Sequence, residues 1–299
     1  MASFTLGEIL KAVSGVLLQQ GSHEYCTGVN TDTRTISPGE LFIALQGNTF
    51  DGHHFLNDAC INGASMVIIS ERSSFKAVPR TVSVILVKNT QTALEALAHF
   101  YRMKFDIPVV AVTGSNGKTT TKNMIAALVA SKLNVCATQK NFNNEIGLSL
   151  TLLSMTPETE ACVVEMGMRG LGQIAGLCRI AAPTIGVVTN VGTSHIGILG
   201  SQENIAKAKA ELVEAIGAGG TVILNADNAY VAAMREKARA GVRVATIFEI
   251  EGEDGFRRRE AQTIHELTAG RDLVMATGGG VVINPENRCR LHDTGWVVY

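Results

Sequence analysis

A glycine-bearing loop between an apolar run and a helical pattern has the residue types needed to bind phosphate: Gly114, Ser115, Asn116, Gly117, Lys118, Thr119 and Thr120. Backbone N–H groups of such a loop, together with the positive end of the helix that follows, bind phosphate oxygens; the lysine neutralises them and the first threonine reaches Mg²⁺. Val112 stands where the general pattern has its first glycine, so an ordinary strand-to-helix turn is the alternative. The strand before the loop and the helix after it favour a nucleotide site.

Three further residues could take part in this chemistry. Glu165 ends an apolar strand, where a parallel sheet presents side chains to a ligand, although an acid at a strand end is equally typical of a solvated loop. His195 follows the strand-like run at 185–191, and a structural loop histidine is its alternative. Lys209 lies in a charged helical pattern, for which composition alone predicts a solvated helix face.

Each of two further polar clusters has a structural role as its alternative. Asn143, Asn144 and Glu145 open a helical pattern and could hydrogen-bond phosphate or sugar groups, or could simply cap the helix. His53 and His54 are not spaced as a metal-binding pair on one helix face, so we predict turn or core positions for them.

The pattern of elements predicts an α/β fold in which a small N-terminal α/β unit precedes a mostly parallel sheet with helices on both faces. Apolar strands alternate with helical segments after residue 108, the last of these predicted helices being at 229–240, and such buried strands are typical of parallel sheets. Pro108 interrupts the helical pattern at 92–104 and marks a unit boundary. At the N-terminus, Thr5 and Glu8 form a capping-box pattern for a helix whose apolar spacing continues to Leu17.

Composition limits the classes of partner. The formal charge of the 299 residues is −1 and only 5% are aromatic, which argues against a nucleic-acid-binding surface. No run reaches the roughly 18 apolar residues of a membrane span. Six cysteines without a paired motif and an N-terminus unlike a signal peptide predict a cytoplasmic protein that acts on small molecules.

The chain resembles the Mur ligase family, enzymes that add amino acids to the peptidoglycan precursor. The resemblance begins with TGSNGKTTTK at the phosphate loop, and further motifs follow in the family's order: NFNNEIGLSLTLL (141–153), VVEMGMRGLGQIA (163–175), TNVGTSHIGILGS (189–201) and IAKAKAEL (205–212). Upstream, residues 31–55 are similar to the family's UDP-sugar-binding domain.

This resemblance implies cofactors and site residues. ATP and Mg²⁺ would bind at the phosphate loop, with Lys118 on the β- and γ-phosphates and Thr119, Glu165 and His195 as metal ligands. Lys209 matches a lysine that is carbamylated in the family and so becomes a metal-bridging anion. Thr33 and Arg34 match contacts to the uridine nucleotide; Asn143 and Asn144 belong to the predicted substrate contacts.

The wording of TTTK and NFNNEIG is closest to the family members that join D-alanyl-D-alanine to UDP-N-acetylmuramoyl-tripeptide. In that reaction ATP phosphorylates the tripeptide's terminal carboxylate, and the amine of D-alanyl-D-alanine attacks the acyl phosphate. We expect a monomer with no nucleic-acid partner. A catalytically silent module that binds nucleotide and UDP-sugar is the alternative.

Residues 247–299 resemble the middle of shikimate kinase instead, through EGEDGFRRRE, the strand LVMAT and a triple glycine. The local pattern of this segment predicts a strand at 272–276 and a helix at 285–292. By that match, Arg257, Gly278, Gly279 and Gly280 would contact shikimate, while a flexible turn is the alternative for the glycines. We therefore expect units at 1–106, 107–246 and 247–299, an incomplete ATPase unit, and an artificial junction near 245–248. Shikimate kinase activity is a further alternative, although that family's own phosphate loop is missing from the segment.

Overall fold

A computed structural model describes residues 2–47, 50–139, 142–246, 258, 261–262, 264–265, 281 and 284–294. The predicted α/β class is confirmed, because two sheets that are largely or wholly parallel account for most of the described strands. Of the residues predicted to contact shikimate, Arg257, Gly278, Gly279 and Gly280 lie outside the described residues. The strand expected at 272–276 lies outside them as well, whereas the helix expected from Pro285 is present as Pro285–Thr294.

The larger sheet has six parallel strands in the order β13-β12-β11-β8-β10-β9. In chain order these strands are β8 (Val109–Thr113), β9 (Val135–Ala137), β10 (Ala161–Glu165), β11 (Ile185–Val188), β12 (Thr221–Leu224) and β13 (Arg243–Thr246). Strands β8 and β10 are buried at every position, as expected for central parallel strands with helices on both faces. Their carboxyl ends deliver the polar residues that follow them to one edge of the sheet.

The smaller sheet has five strands in the order β2-β7-β6-β5-β4. Only β2 and β7 pair antiparallel, while the other neighbours are parallel. These strands are β2 (Val16–Gln19), β4 (Val29–Asn30), β5 (Leu41–Ile43), β6 (Met66–Ile69) and β7 (Ser83–Leu86); a separate antiparallel pair is formed by β1 (Phe4–Thr5) and β3 (Tyr25–Cys26).

Helices connect and cover the strands. In chain order the described helices up to residue 246 are α1 (Leu6–Val13), α2 (Leu56–Ile61), α3 (Thr90–Arg102), α4 (Lys118–Ala130), α5 (Glu145–Leu153), α6 (Gln173–Ala181), α7 (Ile196–Leu199), α8 (Gln202–Ala215) and α9 (Ala229–Ala232). Short 3₁₀ turns lie at Gly52–Phe55, Arg72–Ala77 and Ala233–Lys237.

One hydrophobic core joins the two sheets. It contains side chains of β5 and β6 from the smaller sheet, of β8 and β10 from the larger one, and of helix α3 between them. At the end of α3 the buried Arg102 donates hydrogen bonds to the carbonyl oxygens of Phe105 (2.6 Å) and Ala181 (3.1 Å). The guanidinium therefore connects α3 with the C-terminal end of α6.

Two sequence-based element predictions need correction. The capping box of Thr5 and Glu8 is present, but α1 ends at Val13 because Ser14 adopts a left-handed conformation with φ of 50°. Pairing with β7 then draws Val16 and Leu17 into a strand, although their spacing continues the helical pattern. The helix predicted at 229–240 is shorter, because after Ala232 the chain tightens into a 3₁₀ turn before it enters β13.

Candidate nucleotide and substrate sites

The phosphate loop connects β8 to α4, as the sequence predicts. Gly114 has a φ of 154°, and a Cβ atom there would overlap the hydroxyl of Thr189, so the close approach of the two chain segments requires glycine. Gly117 has a φ of 77° and directly precedes α4. The two glycines thus let the chain leave the sheet edge and turn into the helix within four residues.

The segment after β11 fixes this loop. The N–H groups of Ser115 and Asn116 donate to the backbone carbonyl and the side-chain oxygen of Asn190, both at 2.9 Å, and the Thr189 hydroxyl donates to the carbonyl of Asn116 at 2.7 Å. Within the described part of the chain, the backbone N–H groups at positions 117–120 have no acceptor. The amides available to an anion are therefore those of the helix start rather than those of 115 and 116.

Lys118 folds back over the loop. Its Nζ donates to the carbonyl oxygens of Gly114 at 2.9 Å and Ser115 at 3.2 Å. The ammonium group is partly buried and lies beside the amides at the start of α4, so its charge adds to the positive end of the helix dipole. This arrangement favours an anion at the same place.

Glu165 is buried at the end of β10, with 2% of its surface exposed, and is not a solvated loop residue. The Thr119 hydroxyl donates to one carboxylate oxygen at 2.7 Å, and the Asn143 amide donates to the other at 2.9 Å. The Glu165 N–H donates to the hydroxyl of Thr138 at 3.1 Å. These contacts hold a carboxylate next to the first threonine of α4.

The polar cluster before α5 divides into two roles. Asn144 is the N-cap of α5 and accepts a hydrogen bond from the Gly147 N–H at 2.9 Å, so the capping alternative holds for this residue. Asn143 instead turns toward Glu165, and its carbonyl accepts from the Gly167 N–H at 2.9 Å. Asn143 therefore connects the start of α5 with the segment that follows β10.

Lys209 is buried on α8, with 2% of its surface exposed, which contradicts the expectation of a solvated helix face. Burial, helped by the nearby charge of Lys118, lowers the pKa of its amine from 10.5 to about 8. Within the described ranges, no hydrogen bond to the Lys209 amine is found. The amine faces the same cavity as Lys118.

His195 lies at the mouth of this cavity. It has a φ of 68°, which is unusual for a residue with a side chain, and it immediately precedes the short helix α7. Its side chain is exposed and does not cap α7. His195 therefore contributes to the lining of the cavity and does not cap its own helix.

Several of these side chains line a cavity of about 400 Å³ at the carboxyl edge of the larger sheet, whereas Thr119 and Glu165 are not among its lining residues. Its lining includes the predicted Gly114, Lys118, Asn143, Asn144, His195 and Lys209, and also Glu145, Gly167, Met168, Arg169 and Gln173. Sequence reasoning missed Met168, Arg169 and Gln173. Their position directly after the acid that ends β10 was the available signal, because residues following a parallel strand lie at the ligand edge.

A second cavity of about 530 Å³ lies against the smaller sheet and is lined by Thr31, Asp32, Thr33, Arg34, Phe42, Phe50 and Phe55. The exposed Arg34 guanidinium forms a two-point ion pair with Asp32, with contacts of 2.6 and 2.9 Å. Hydrogen bonds from Arg34 lower the pKa of Asp32 to about 2. Aromatic faces and a guanidinium thus meet in one cavity.

His53 and His54 occupy a turn beside this second cavity, as predicted. His53 is buried in the 3₁₀ turn Gly52–Phe55, whereas His54 is exposed. In the part of the chain described here, no helix is long and apolar enough to cross a membrane.

The first cavity together with the phosphate loop and Glu165 beside it fits ATP and Mg²⁺. The four N–H groups at 117–120 without acceptors suit phosphate oxygens, and the carboxylate of Glu165 with the hydroxyl of Thr119 supplies the oxygen donors that Mg²⁺ prefers. The buried amine of Lys209 has a place for an anionic partner in the same cavity.

Comparison with protein families gives two matches. The family profile described as "Mur ligase middle domain" matches residues 112–284, and the profile described as "Mur ligase family, catalytic domain" matches residues 25–102. The first match extends past residue 246, where we expect the central unit to end, into the segment compared above with shikimate kinase.

Curated relatives share substantial identity with the chain. Proteins named UDP-N-acetylmuramoyl-tripeptide–D-alanyl-D-alanine ligase from Synechocystis and Bacillus subtilis are 42% and 43% identical to it over 82% and 77% of its length. The aligned regions make up 51% of each relative. The chain therefore spans about half the length of the curated relatives it matches.

Solved structures of MurF ligases are also similar to this chain. A crystal structure of MurF from Acinetobacter baumannii superposes with a TM-score of 0.76 at 28% identity, covering 82% of this chain and 53% of that one. MurF ligase from Thermotoga maritima, solved in complex with ADP, gives a TM-score of 0.65 at 30% identity, covering 73% of this chain and 49% of that one.

Proposed function

The chain belongs to the Mur ligase family, and on that premise we propose that it takes part in the ATP-dependent joining of D-alanyl-D-alanine to UDP-N-acetylmuramoyl-tripeptide. The names of the curated relatives support this substrate pair. The relatives are about twice the length of the matched region, so the complete reaction is a proposal for this chain.

The single observation that carries the proposal is the convergence of Lys118, Glu165 and Lys209 on the carboxyl edge of one parallel sheet. They come from α4, β10 and α8, which are distant in sequence, and Lys118 and Lys209 face the same cavity. A cation at a helix start beside an oriented carboxylate is the arrangement that phosphoryl transfer requires, because that reaction depends on positioning and charge neutralisation.

Each residue has a defined task in this proposal. When bound, ATP with Mg²⁺ supplies the phosphoryl group that activates the tripeptide's carboxylate as an acyl phosphate. Lys118 and the amides of 117–120 bind phosphate oxygens, while Thr119, Glu165 and His195 hold Mg²⁺. Gly114, Ser115 and Asn116 shape the loop, and Thr120 contributes its backbone N–H.

We assign Lys209 the role of a carbamylated metal ligand. Carbamylation needs a neutral amine, and burial that brings the pKa of Lys209 to about 8 makes one accessible near neutral pH. The carbamate would place a negative charge beside Lys118, where the amine now has no hydrogen-bond partner within the described residues. The uncharged and cationic forms of Lys209 are both poorly suited to binding a divalent cation.

The uridine nucleotide is assigned to the second cavity. The pyrophosphate would be bound by the N–H groups of the Arg34 guanidinium that are not used in its ion pair with Asp32, and Thr33 lies next to it. Asn143 is assigned to the peptide end of the substrate, and so is Asn144, which caps α5 through its side-chain oxygen and would contact the substrate through its NH₂ group. The two cavities then hold opposite ends of one elongated substrate.

The test is phosphate release from ATP by the full chain, measured with UDP-N-acetylmuramoyl-tripeptide and D-alanyl-D-alanine together and with each omitted. We expect release only when both are present. Phosphate release that persists when either substrate is omitted would exclude the proposed reaction for this chain.

A module that binds nucleotide and UDP-sugar without turnover is the second candidate. It would need only the two cavities described above, one beside the phosphate loop and one against the smaller sheet. Binding of ATP and the UDP-tripeptide without any phosphate release would support this candidate over the ligase.

Further proposals concern the division into units, the oligomeric state, the location and the C-terminal segment. We propose units at 1–106, 107–246 and 247–299, a monomeric state and a cytoplasmic location. The likeness of residues 247–299 to shikimate kinase stays a prediction, and Arg257 with Gly278, Gly279 and Gly280 remains its predicted contact set. Formation of ADP that depends on shikimate and survives Lys118→Ala would revive a kinase activity of this segment.

A further inference from the structure

Both ring nitrogens of His53 have hydrogen-bond partners beside the smaller sheet, and the side chain is only 1% exposed. Nδ1 lies 2.6 Å from the Asp51 carboxylate, and Nε2 lies 2.9 Å from the backbone nitrogen of Ser70, directly after β6. The ring therefore spans from the turn that begins at Asp51 to the end of a central strand.

These contacts define the tautomer of His53. A backbone N–H can only donate, so Nε2 must carry a lone pair and the proton must be on Nδ1, where it is donated to Asp51. Atoms of Asp51, His53 and Glu71 that could bind a metal ion lie within 4.8 Å of one another. However, the ring of His53 has no lone pair left for a metal ion, because Nδ1 carries the proton and Nε2 accepts from the Ser70 N–H. Because Nε2 already accepts a hydrogen bond from the Ser70 N–H, it is poorly placed to take a proton from the Ser70 hydroxyl, which lies 3.3 Å away. Both metal binding and hydrolytic chemistry are thus disfavoured.

An aromatic wall, which we define as Phe50 and Phe55, flanks the turn held by His53: Phe50 directly precedes Asp51, and Phe55 ends the 3₁₀ turn. Their rings stack with centroids 5.1 Å apart and planes inclined by 16°, and both line the second cavity. Backbone contacts close the turn locally: the Gly47 N–H donates to the carbonyl of Phe50 at 2.7 Å, and the Gly52 N–H donates to the carbonyl of Leu45 at 2.8 Å.

The local contacts define the shape of the turn, whereas the His53 ring connects it to the sheet at Ser70. Phe50 is 51% exposed and gains little from burial, so its position depends on the turn that carries it. Across the cavity, Arg34 is held by Asp32. A ligand with a flat ring and a diphosphate needs the aromatic wall and the guanidinium at a fixed separation.

We propose that His53 is a positioning residue that holds the aromatic wall at the distance from Arg34 that a uridine diphosphate group requires. This rests on the proposed assignment of the second cavity to the uridine nucleotide. The imidazole acts through hydrogen bonds to Asp51 and Ser70 and does not touch the ligand.

Two substitutions separate the contacts of the ring. In His53→Asn the shorter amide can donate to Asp51 but cannot reach Ser70, while in His53→Gln the side-chain oxygen can accept from the Ser70 N–H. The exposed neighbour gives a matched control, His54→Asn. The probes are UDP for the second cavity and ADP with Mg²⁺ for the first, both titrated calorimetrically into the same full-length protein.

We expect His53→Asn to weaken UDP binding about tenfold, the size of effect expected when one buried hydrogen bond is lost. His53→Gln should recover most of the affinity, His54→Asn should leave it unchanged, and ADP binding should not change in any variant. A general defect in folding would lower both affinities together.

The proposal is overturned if His53→Asn binds UDP as the unsubstituted protein does, if it loses UDP and ADP binding equally, or if glutamine gives no recovery. Failure of the unsubstituted protein to bind UDP would instead exclude the assignment of the cavity itself, and the role of His53 with it. ADP binding by that same protein would show that the first cavity is intact.

Discussion

Lys118 and Lys209 line the same cavity, although their sequence patterns predict different environments for them. Lys118 could be predicted from its motif, because a lysine after a glycine turn at a helix start has one common use. Lys209 could not, because alternating charged and small residues in its helix are typical of a solvated surface. Only the packing of α8 against α6 and the sheet buries the amine and brings it toward Lys118.

The lowered pKa of Lys209 leads to a prediction for the amine. A neutral amine adds to carbon dioxide with loss of a proton, so a carbamate should form increasingly between pH 7 and 9, around the pKa of about 8 rather than 10.5. We expect ¹³C NMR of the protein in ¹³C-bicarbonate to show a carbamate resonance that Lys209→Met lacks.

The matched control is Lys207→Met, because Lys207 is exposed on the same helix. This variant should retain the resonance. An identical carbamate signal in the Lys209 variant would contradict the assignment.

At the scale of elements, the sequence predicts the strands of the larger sheet well, since β8 and β10 are continuous apolar runs with turn signals on both sides. It fails where tertiary pairing overrides spacing, as at Val16 and Leu17, which continue a helical pattern but pair with β7. Cavity residues such as Arg169 were also missed, because their position depends on how the segment between β10 and α6 turns.

Helix α3 ends on a buried cation that connects elements far apart in sequence. Arg102 donates to carbonyl oxygens of Phe105 and Ala181, so its removal leaves buried acceptors without donors. We expect Arg102→Met to lower the free energy of unfolding by about 3 kcal/mol. Urea denaturation followed by circular dichroism measures this change.

The control substitution is Arg80→Met, at an exposed arginine in the turn before β7. Surface substitutions of this kind should change the free energy of unfolding by no more than about 0.5 kcal/mol. Equal stabilities for the two variants would show that the Arg102 contacts contribute nothing to stability.

At the scale of the whole molecule, the two sheets share one core although their ligand cavities are separate. Cys26 lies beside the smaller sheet and Cys178 on α6, and both belong to this core. Burial raises the pKa of Cys26 to about 11 and that of Cys178 to about 12, so neither thiol should react in the native protein at pH 8.

A shared core predicts cooperative unfolding of both regions. We expect Cys26 and Cys178 to become reactive toward iodoacetamide at the same urea concentration, as measured by pulse labelling and peptide mass spectrometry. Labelling of Cys26 at a distinctly lower concentration would show that the smaller sheet unfolds independently, and the shared core would then not couple the two regions.

The central claim is that nucleotide phosphates bind at the start of α4, beside Lys118. Calorimetric titration of ADP with Mg²⁺ tests it directly, with the exposed Lys132→Ala as the matched control for Lys118→Ala. We predict that Lys118→Ala loses affinity by about a hundredfold, since a charge-assisted phosphate contact is removed, while Lys132→Ala binds as the unsubstituted protein does. Unchanged affinity in Lys118→Ala would contradict this placement of the phosphates.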